Sequence, residues 1–297
     1  MEVWGCVPYS IINVLFKKMR AIALLTAVLL AITCAGCSSA GADRLYALPQ
    51  LSDEYVQLEA LIAQRIRSGG EYAAPVSGSN RQTVQLRDLD GDGEPEAIAF
   101  LADSSHTPSI CIYRRDEEGS YYLFVNIEGV GSSVSSVEYA DLTGDGATEL
   151  ILCWQIGGDI RLLSVYSLRE EEQQQLISAD CVEYFVGDLD GDGREELFNL
   201  TAENGEGSVI RYDFQSGADC CTASEARLSD GIGEILRLRT GSLSDGVTAL
   251  FVESRWGEDE LITDVLTVSG GQLSNITIGS SGRSNTLRIG EAFAADI

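Results

Sequence analysis

Asp88-Leu89-Asp90-Gly91-Asp92-Gly93-Glu94-Pro95-Glu96 recurs as Asp141-Leu142-Thr143-Gly144-Asp145-Gly146-Ala147-Thr148-Glu149 and again as Asp188-Leu189-Asp190-Gly191-Asp192-Gly193-Arg194-Glu195-Glu196. The spacing of about 50 residues is that of propellers, solenoids and arrays of supersecondary units. One period further, Ser242-Leu243-Ser244-Asp245-Gly246-Val247 keeps the leucine and the glycine but has lost most carboxylates, which makes it a degenerate fourth copy. The closing residues Ala295-Asp296-Ile297 repeat the opening of the motif, and 285–290 reads like the strand before the other loops. The array is therefore expected to be interrupted at the C terminus, in mid-repeat.

Working outward from the motifs, each lies between two runs rich in β-branched and aromatic residues: 83–86 and 97–101, 137–140 and 150–154, 182–186 and 197–200. Such runs between turn residues read as strands. Each unit carries a further pair of strand candidates, such as 109–113 with 121–125 or 162–166 with 174–177. The turns between them, at 116–119 and 169–172, are polar. Four strands per unit is the content of a propeller blade. The expected fold is all-β, a β-propeller-like array of four-stranded blades over residues 76–297, with one N-terminal helix within 51–70. Ser52 stands at the N-cap of that helix, Tyr55, Leu58, Ile62 and Ile66 share one face, and Gly69-Gly70 stops it.

The chain has 297 residues, 44% of them hydrophobic, so a large core is expected. A net charge of −26 repels phosphate backbones and anionic lipid head groups, which excludes nucleic acid as a partner. The one histidine, His106, sits in a Ser/Thr/Pro stretch and reads as a solvated loop residue. Zinc sites built on several histidines are thereby excluded, and a serine–histidine–aspartate triad has only this residue to draw on.

Lys17, Lys18 and Arg20 precede an apolar run over 21–33 that ends in small residues, the pattern of a secretory signal. Residues 1–36 read as signal peptide, with 1–18 upstream of a second start at Met19, and 37–50 as a Ser/Gly/Ala-rich tether. Ala35-Gly36-Cys37 resembles the lipobox of bacterial lipoproteins, which implies lipidation of Cys37 and a domain held at the outer face of a membrane. Cys34 stands where that pattern has leucine. Only five cysteines follow Cys37, at 111, 153, 181, 220 and 221, with no framework spacing. Cys111 and Cys153 lie inside apolar runs and read as small buried hydrophobes.

Carboxylates at loop positions 1, 3 and 5, glycines free to take positive φ at 4 and 6, and an acid at 9 make a tight all-oxygen cage. Such oxygens repel one another unless a hard cation neutralises them. A cage without Cys or His selects Ca2+ over zinc or copper, and a site made wholly of protein disfavours Mg2+. An EF-hand is excluded, because loop position 12 holds Ala99, Leu152 and Asn199 and strands rather than helices flank the loops.

In these three loops the chain resembles the FG-GAP/VCBS repeat family over about residues 83–253. The resemblance implies calcium-binding propeller blades, with Asp88, Asp90, Asp92 and Glu96 as ligands in the first loop. In the second it implies Asp141, Asp145 and Glu149 with Thr143, and in the third Asp188, Asp190, Asp192 and Glu196. Position 7, held by Glu94, Ala147 and Arg194, is implied to offer its backbone carbonyl. About three Ca2+ ions are thus expected. The second loop lacks one carboxylate and is expected to bind most weakly.

The expected function is that of an exported, lipid-anchored, calcium-binding repeat protein on the cell surface. It would act as a binding or adhesion module toward an extracellular protein or glycan. A purely structural spacer reads the same way in sequence. The alternative is a carbohydrate-active hydrolase or lyase on the same scaffold, for which Trp256 and the acids Glu253, Glu258, Asp259 and Glu260 are candidates for a sugar site, although they read first as a solvated turn. No nucleophile elbow or zinc motif supports an enzyme.

Overall fold

The second strand of each acid-loop repeat is apolar at nearly every position, as in Ala97-Ile98-Ala99-Phe100-Leu101 and Leu150-Ile151-Leu152-Cys153-Trp154. A pleated strand sends alternate side chains to opposite faces, so an unbroken apolar run requires cover on both sides. The structure, a computed structural model, meets that requirement with an all-β array of antiparallel sheets and one helix. It describes residues 53–277 apart from 159, 170–172, 215–220, 245 and 257–259. Residues 1–52, which include the expected signal peptide, Cys37 and the expected tether, and residues 278–297, with the repeated ending, lie outside the described residues. No helix among the described residues is long and apolar enough to cross a membrane.

The first sheet contains β1 (Glu71–Tyr72), β2 (Val84–Arg87), β3 (Glu96–Ala102), β4 (Pro108–Arg115) and β5 (Tyr121–Glu128). β2 pairs with residues 96–99 of β3 and β1 with 101–102, so the two share one edge and the sheet has four strand positions. The second sheet is β6 (Ser133–Ala140), β7 (Glu149–Gly157), β8 (Ile160–Ser167) and β9 (Gln174–Cys181). The third is β10 (Glu183–Gly187), β11 (Glu196–Glu203), β12 (Glu206–Phe214) and β13 (Cys221–Arg227). The fourth is β14 (Ile232–Ser242), β15 (Thr248–Trp256), β16 (Glu260–Ser269) and β17 (Gln272–Asn275). From the second sheet on, each strand pairs with the next in sequence.

Three hydrophobic layers join the four sheets in chain order. Ile98 and Phe100 of β3 meet Leu150, Leu152 and Trp154 of β7 in the first layer. Ile151 of β7 meets Leu197 of β11 in the second, and Phe198 and Leu200 of β11 meet Leu250 and Val252 of β15 in the third. Odd and even positions of one strand thus serve two different layers. The described residues form an open array of four sheets, not a closed ring.

The outer face of the first sheet is covered by the helix α1 (Asp53–Arg67). Leu58 and Ile62 pack on Ala97, Ala99, Leu101 and Tyr113, the positions of β3 and β4 that face away from the second sheet. Gly69, at φ 105°, ends the helix in a Schellman turn: its N–H donates to Ile66 and that of Gly70 to Arg65. Cys111, Cys153 and Cys181 are buried free thiols. His106 lies exposed at the β3–β4 turn, 2.7 Å from Glu71.

Candidate metal centre

Each acid motif fills the same corner, the link between the first two strands of its sheet. The three loops share one hydrogen-bond plan. Asp88 accepts from the Gly91 and Gly93 N–H groups at 2.8 and 2.9 Å, one on each carboxylate oxygen. Asp141 does the same with Gly144 and Gly146 at 2.7 and 2.9 Å, and Asp188 with Gly191 and Gly193 at 2.6 and 2.9 Å. Asp92, Asp145 and Asp192 at position 5 each accept the N–H of position 7, so Glu94, Ala147 and Arg194 are engaged through their amides. The glutamate at position 9 opens the second strand and reaches back to the leucine at position 2. Glu96 takes the Leu89 N–H at 2.7 Å, Glu149 that of Leu142 at 2.8 Å and Glu196 that of Leu189 at 2.9 Å. Positive φ at both glycines of every loop lets the N–H groups converge on the first aspartate.

The loops are stacked. A Cβ on Gly91 would lie 2.8 Å from the Gly146 carbonyl oxygen, and the Thr148 N–H donates to the Leu89 carbonyl at 3.3 Å. A Cβ on Gly144 would lie 3.0 Å from Cδ of Arg194. Loop one therefore rests on loop two, and loop two on loop three.

In loops one and three, oxygens of the carboxylates at positions 1, 3 and 9 (Asp88, Asp90 and Glu96; Asp188, Asp190 and Glu196) lie within 4.8 Å of one another. This oxygen-only set suits a hard divalent cation. The remaining acids are turned elsewhere: Glu94 pairs with Arg115 at 3.1 Å and Asp192 with Arg194 at 3.0 Å. Loop two differs. Thr143 replaces the position 3 acid, Asp145 is paired with Arg169, and Glu149 is fully buried. Oε1 of Glu149 is buried without a hydrogen-bond partner.

Burial pushes Glu149 up to about 7, the Leu142 and Thr143 N–H groups oppose it, and nearby Asp145 and Asp141 add to the rise. Burial likewise pushes Glu96 up to about 7, against the Leu89 N–H and Arg114. Glu196 is raised by burial, held back by the Leu189 N–H and Arg211. Asp145 is lowered, because the Ala147 N–H, Arg169 and the Thr143 hydroxyl together outweigh its burial.

Sequence reading missed Arg114 and Arg211, both of which reach into these loops. Arg114 stacks on the Phe124 ring, 3.7 Å from its centroid, and donates to the Leu168 carbonyl of the second sheet. Arg211, 2% exposed, donates to the Gly271 carbonyl of the fourth sheet at 3.1 Å. The available signal was an arginine directly after an apolar stretch of a strand, Arg114 after Ile110 to Tyr113 and Arg211 after Val209-Ile210. The fourth, degenerate copy is a plain turn, closed by Leu243 and Val247 with Gly246 at φ 85°. Of the other acids and the tryptophan considered for a sugar site, Glu253 lies 3.5 Å from Arg239, and Trp256 donates to the Asp230 carbonyl at 2.9 Å. Glu260 opens β16 opposite Trp256, while Glu258 and Asp259 lie outside the described residues.

No protein-family model and no curated protein sequence matches the chain. Among solved structures, it is similar to the exotype rhamnogalacturonan lyase YesX at 13% identity and a TM-score of 0.35. The match covers 69% of this chain and 49% of the lyase, so the chain spans about half of that protein's length. It is also similar to an endo-1,4-beta-xylanase from Bacteroides thetaiotaomicron at 11% identity and a TM-score of 0.24, covering 69% of this chain and 77% of the xylanase.

Proposed function

We propose that the chain is an exported, lipid-anchored repeat protein of the FG-GAP/VCBS kind. Its propeller-like sheets are held along one edge by cation-neutralised acid loops, and Ca2+ is the cation. It works as a binding module for a protein or glycan outside the cell. The observation that carries the reading is the recurrence of one hydrogen-bonded acid loop at the same corner of three successive sheets. Three such corners in contact with one another concentrate negative charge, and oxygen-only cages relieve it with a hard ion. The loops offer three sets of oxygens to a cation: Asp88, Asp90 and Glu96; Asp188, Asp190 and Glu196; and Glu149 with Thr143. The ion would supply charge neutralisation and a stiff edge, leaving the opposite ends of the sheets to meet a partner. Export and anchoring through Cys37 rest on the leader sequence.

Thermal unfolding of the full chain in detergent, with Ca2+, Mg2+ or EDTA and with bound calcium counted, tests the metal. A Ca2+-specific rise with at least one ion bound is expected, whereas identical curves in Ca2+ and EDTA would refute it. Incorporation of labelled lipid that is lost in Cys37→Ser tests the anchor.

A further inference from the structure

Two of the three loops already contain a positive charge. The Arg114 guanidinium lies 3.2 Å from Asp90 and 3.7 Å from Glu96. Arg211 lies 2.9 Å from Asp190, 2.7 Å from Glu196 and 3.2 Å from Asp213. The acids reached in both loops are positions 3 and 9, two of the three whose oxygens converge. The arginines come from different points of the repeat. Arg211 stands opposite Phe198, whereas Arg114 follows Tyr113, the partner of Ala97, and so falls opposite Glu96. Both positions face the next sheet, and both arginines also bond a carbonyl of its third-to-fourth strand turn. A guanidinium is suited to a buried carboxylate pair, because its charge is permanent and its donors fan out in a plane.

Among the described residues, loop two has no counterpart. The corresponding positions of β8 hold Val165, opposite Ile151, and Ser167, next after the Tyr166 that pairs with Leu150. Arg169 is drawn to Asp145 instead. Glu149 is 0% exposed and keeps a buried carboxylate oxygen without a partner, while Thr143 is bonded to the other oxygen through its N–H. A buried carboxylate oxygen left open is costly unless a ligand completes it.

We infer that Arg114 and Arg211 are the resident cations of loops one and three, and that loop two, through Glu149 and Thr143, is the loop that takes a divalent ion from solution. This rests on the calcium reading above and reverses the order of affinity expected from counting carboxylates. Calcium must displace a tethered, desolvated guanidinium in loops one and three, but in loop two it meets an open carboxylate oxygen.

The test is a calcium titration of the full chain in detergent, with melting in EDTA followed in parallel. The wild type should bind one Ca2+ tightly. Glu149→Gln should weaken that site by about tenfold or more, the order lost when a group of the metal's shell is removed. Arg114→Gln and Arg211→Gln should each melt lower in EDTA, gain a calcium site and recover on adding Ca2+. Ser167→Arg, which places an arginine in loop two as Arg114 is placed in loop one, should lower calcium affinity without lowering the melting temperature in EDTA. Because it does not depend on the arginine variants folding, it tests the assignment independently. Three sites left unchanged by Arg114→Gln, and a Ser167→Arg protein with wild-type affinity, would overturn the assignment while the calcium reading stood. A wild type that binds no calcium would refute that reading and the loop two site with it.

Discussion

Glu149 is held so deeply that its ionisation is measurable as stability. Its carboxyl is fully buried, accepts two backbone N–H groups on one oxygen and none on the other, and titrates at about 7 in the folded chain against 4.5 as its ordinary value. The folded state therefore keeps a proton that the unfolded state has already released. Stability from this group is full below pH 4.5, falls as pH rises toward 7 and is level above it. At about 1.4 kcal/mol per pH unit the whole swing is about 3 kcal/mol, most of it between pH 5 and pH 8. Glu149→Gln keeps an oxygen for the Leu142 and Thr143 N–H groups and removes the titration. Urea unfolding in EDTA at a series of pH values, wild type against variant, isolates the effect from Glu96 and Glu196, which titrate in both. The variant is expected to gain on the wild type by about 2 to 3 kcal/mol from pH 5 to pH 8. Parallel profiles, or a wild type that gains on the variant as pH rises, would refute the reasoning.

Three further outcomes follow from the packing. Gly91→Ala should destabilise more than Gly93→Ala, since both add a Cβ at positive φ but only the first drives it to 2.8 Å from the Gly146 oxygen; equal urea midpoints would contradict the stacking of loops one and two. Ile62→Ala should cost about 2 to 5 kcal/mol in urea unfolding, as for a large buried side chain; a loss below about 1 kcal/mol would mean that α1 is not the cover of the first sheet. Cys111, Cys153 and Cys181 should react with a thiol reagent only after denaturation, with Cys111 at 0% exposure the slowest; rapid native labelling of these three would contradict their burial.

The sequence by itself determined the repeat, the strands beside each acid motif and the helix ahead of them. These are local: Gly91 and Gly93 must take positive φ for the loop to close, and a run such as Ala97 to Leu101 demands cover on both faces. β12 and β13 were expected as the further pair of the third unit, but their bounds were not legible, because Arg211 and Ser208 break the apolar pattern of the first and polar Thr222, Ser224 and Glu225 stand along the second. Only the tertiary structure decided how the acids are neutralised. Arg114 lies 24 residues from Asp90 and Arg211 lies 21 residues from Asp190. They reach the loops because antiparallel pairing sets the third strand beside the second and pleat parity turns both side chains toward the next sheet. Counting carboxylates ranked loop two last. Folding leaves it the loop with an open buried carboxylate oxygen, because whether an acid needs a metal depends on which charges the chain brings beside it.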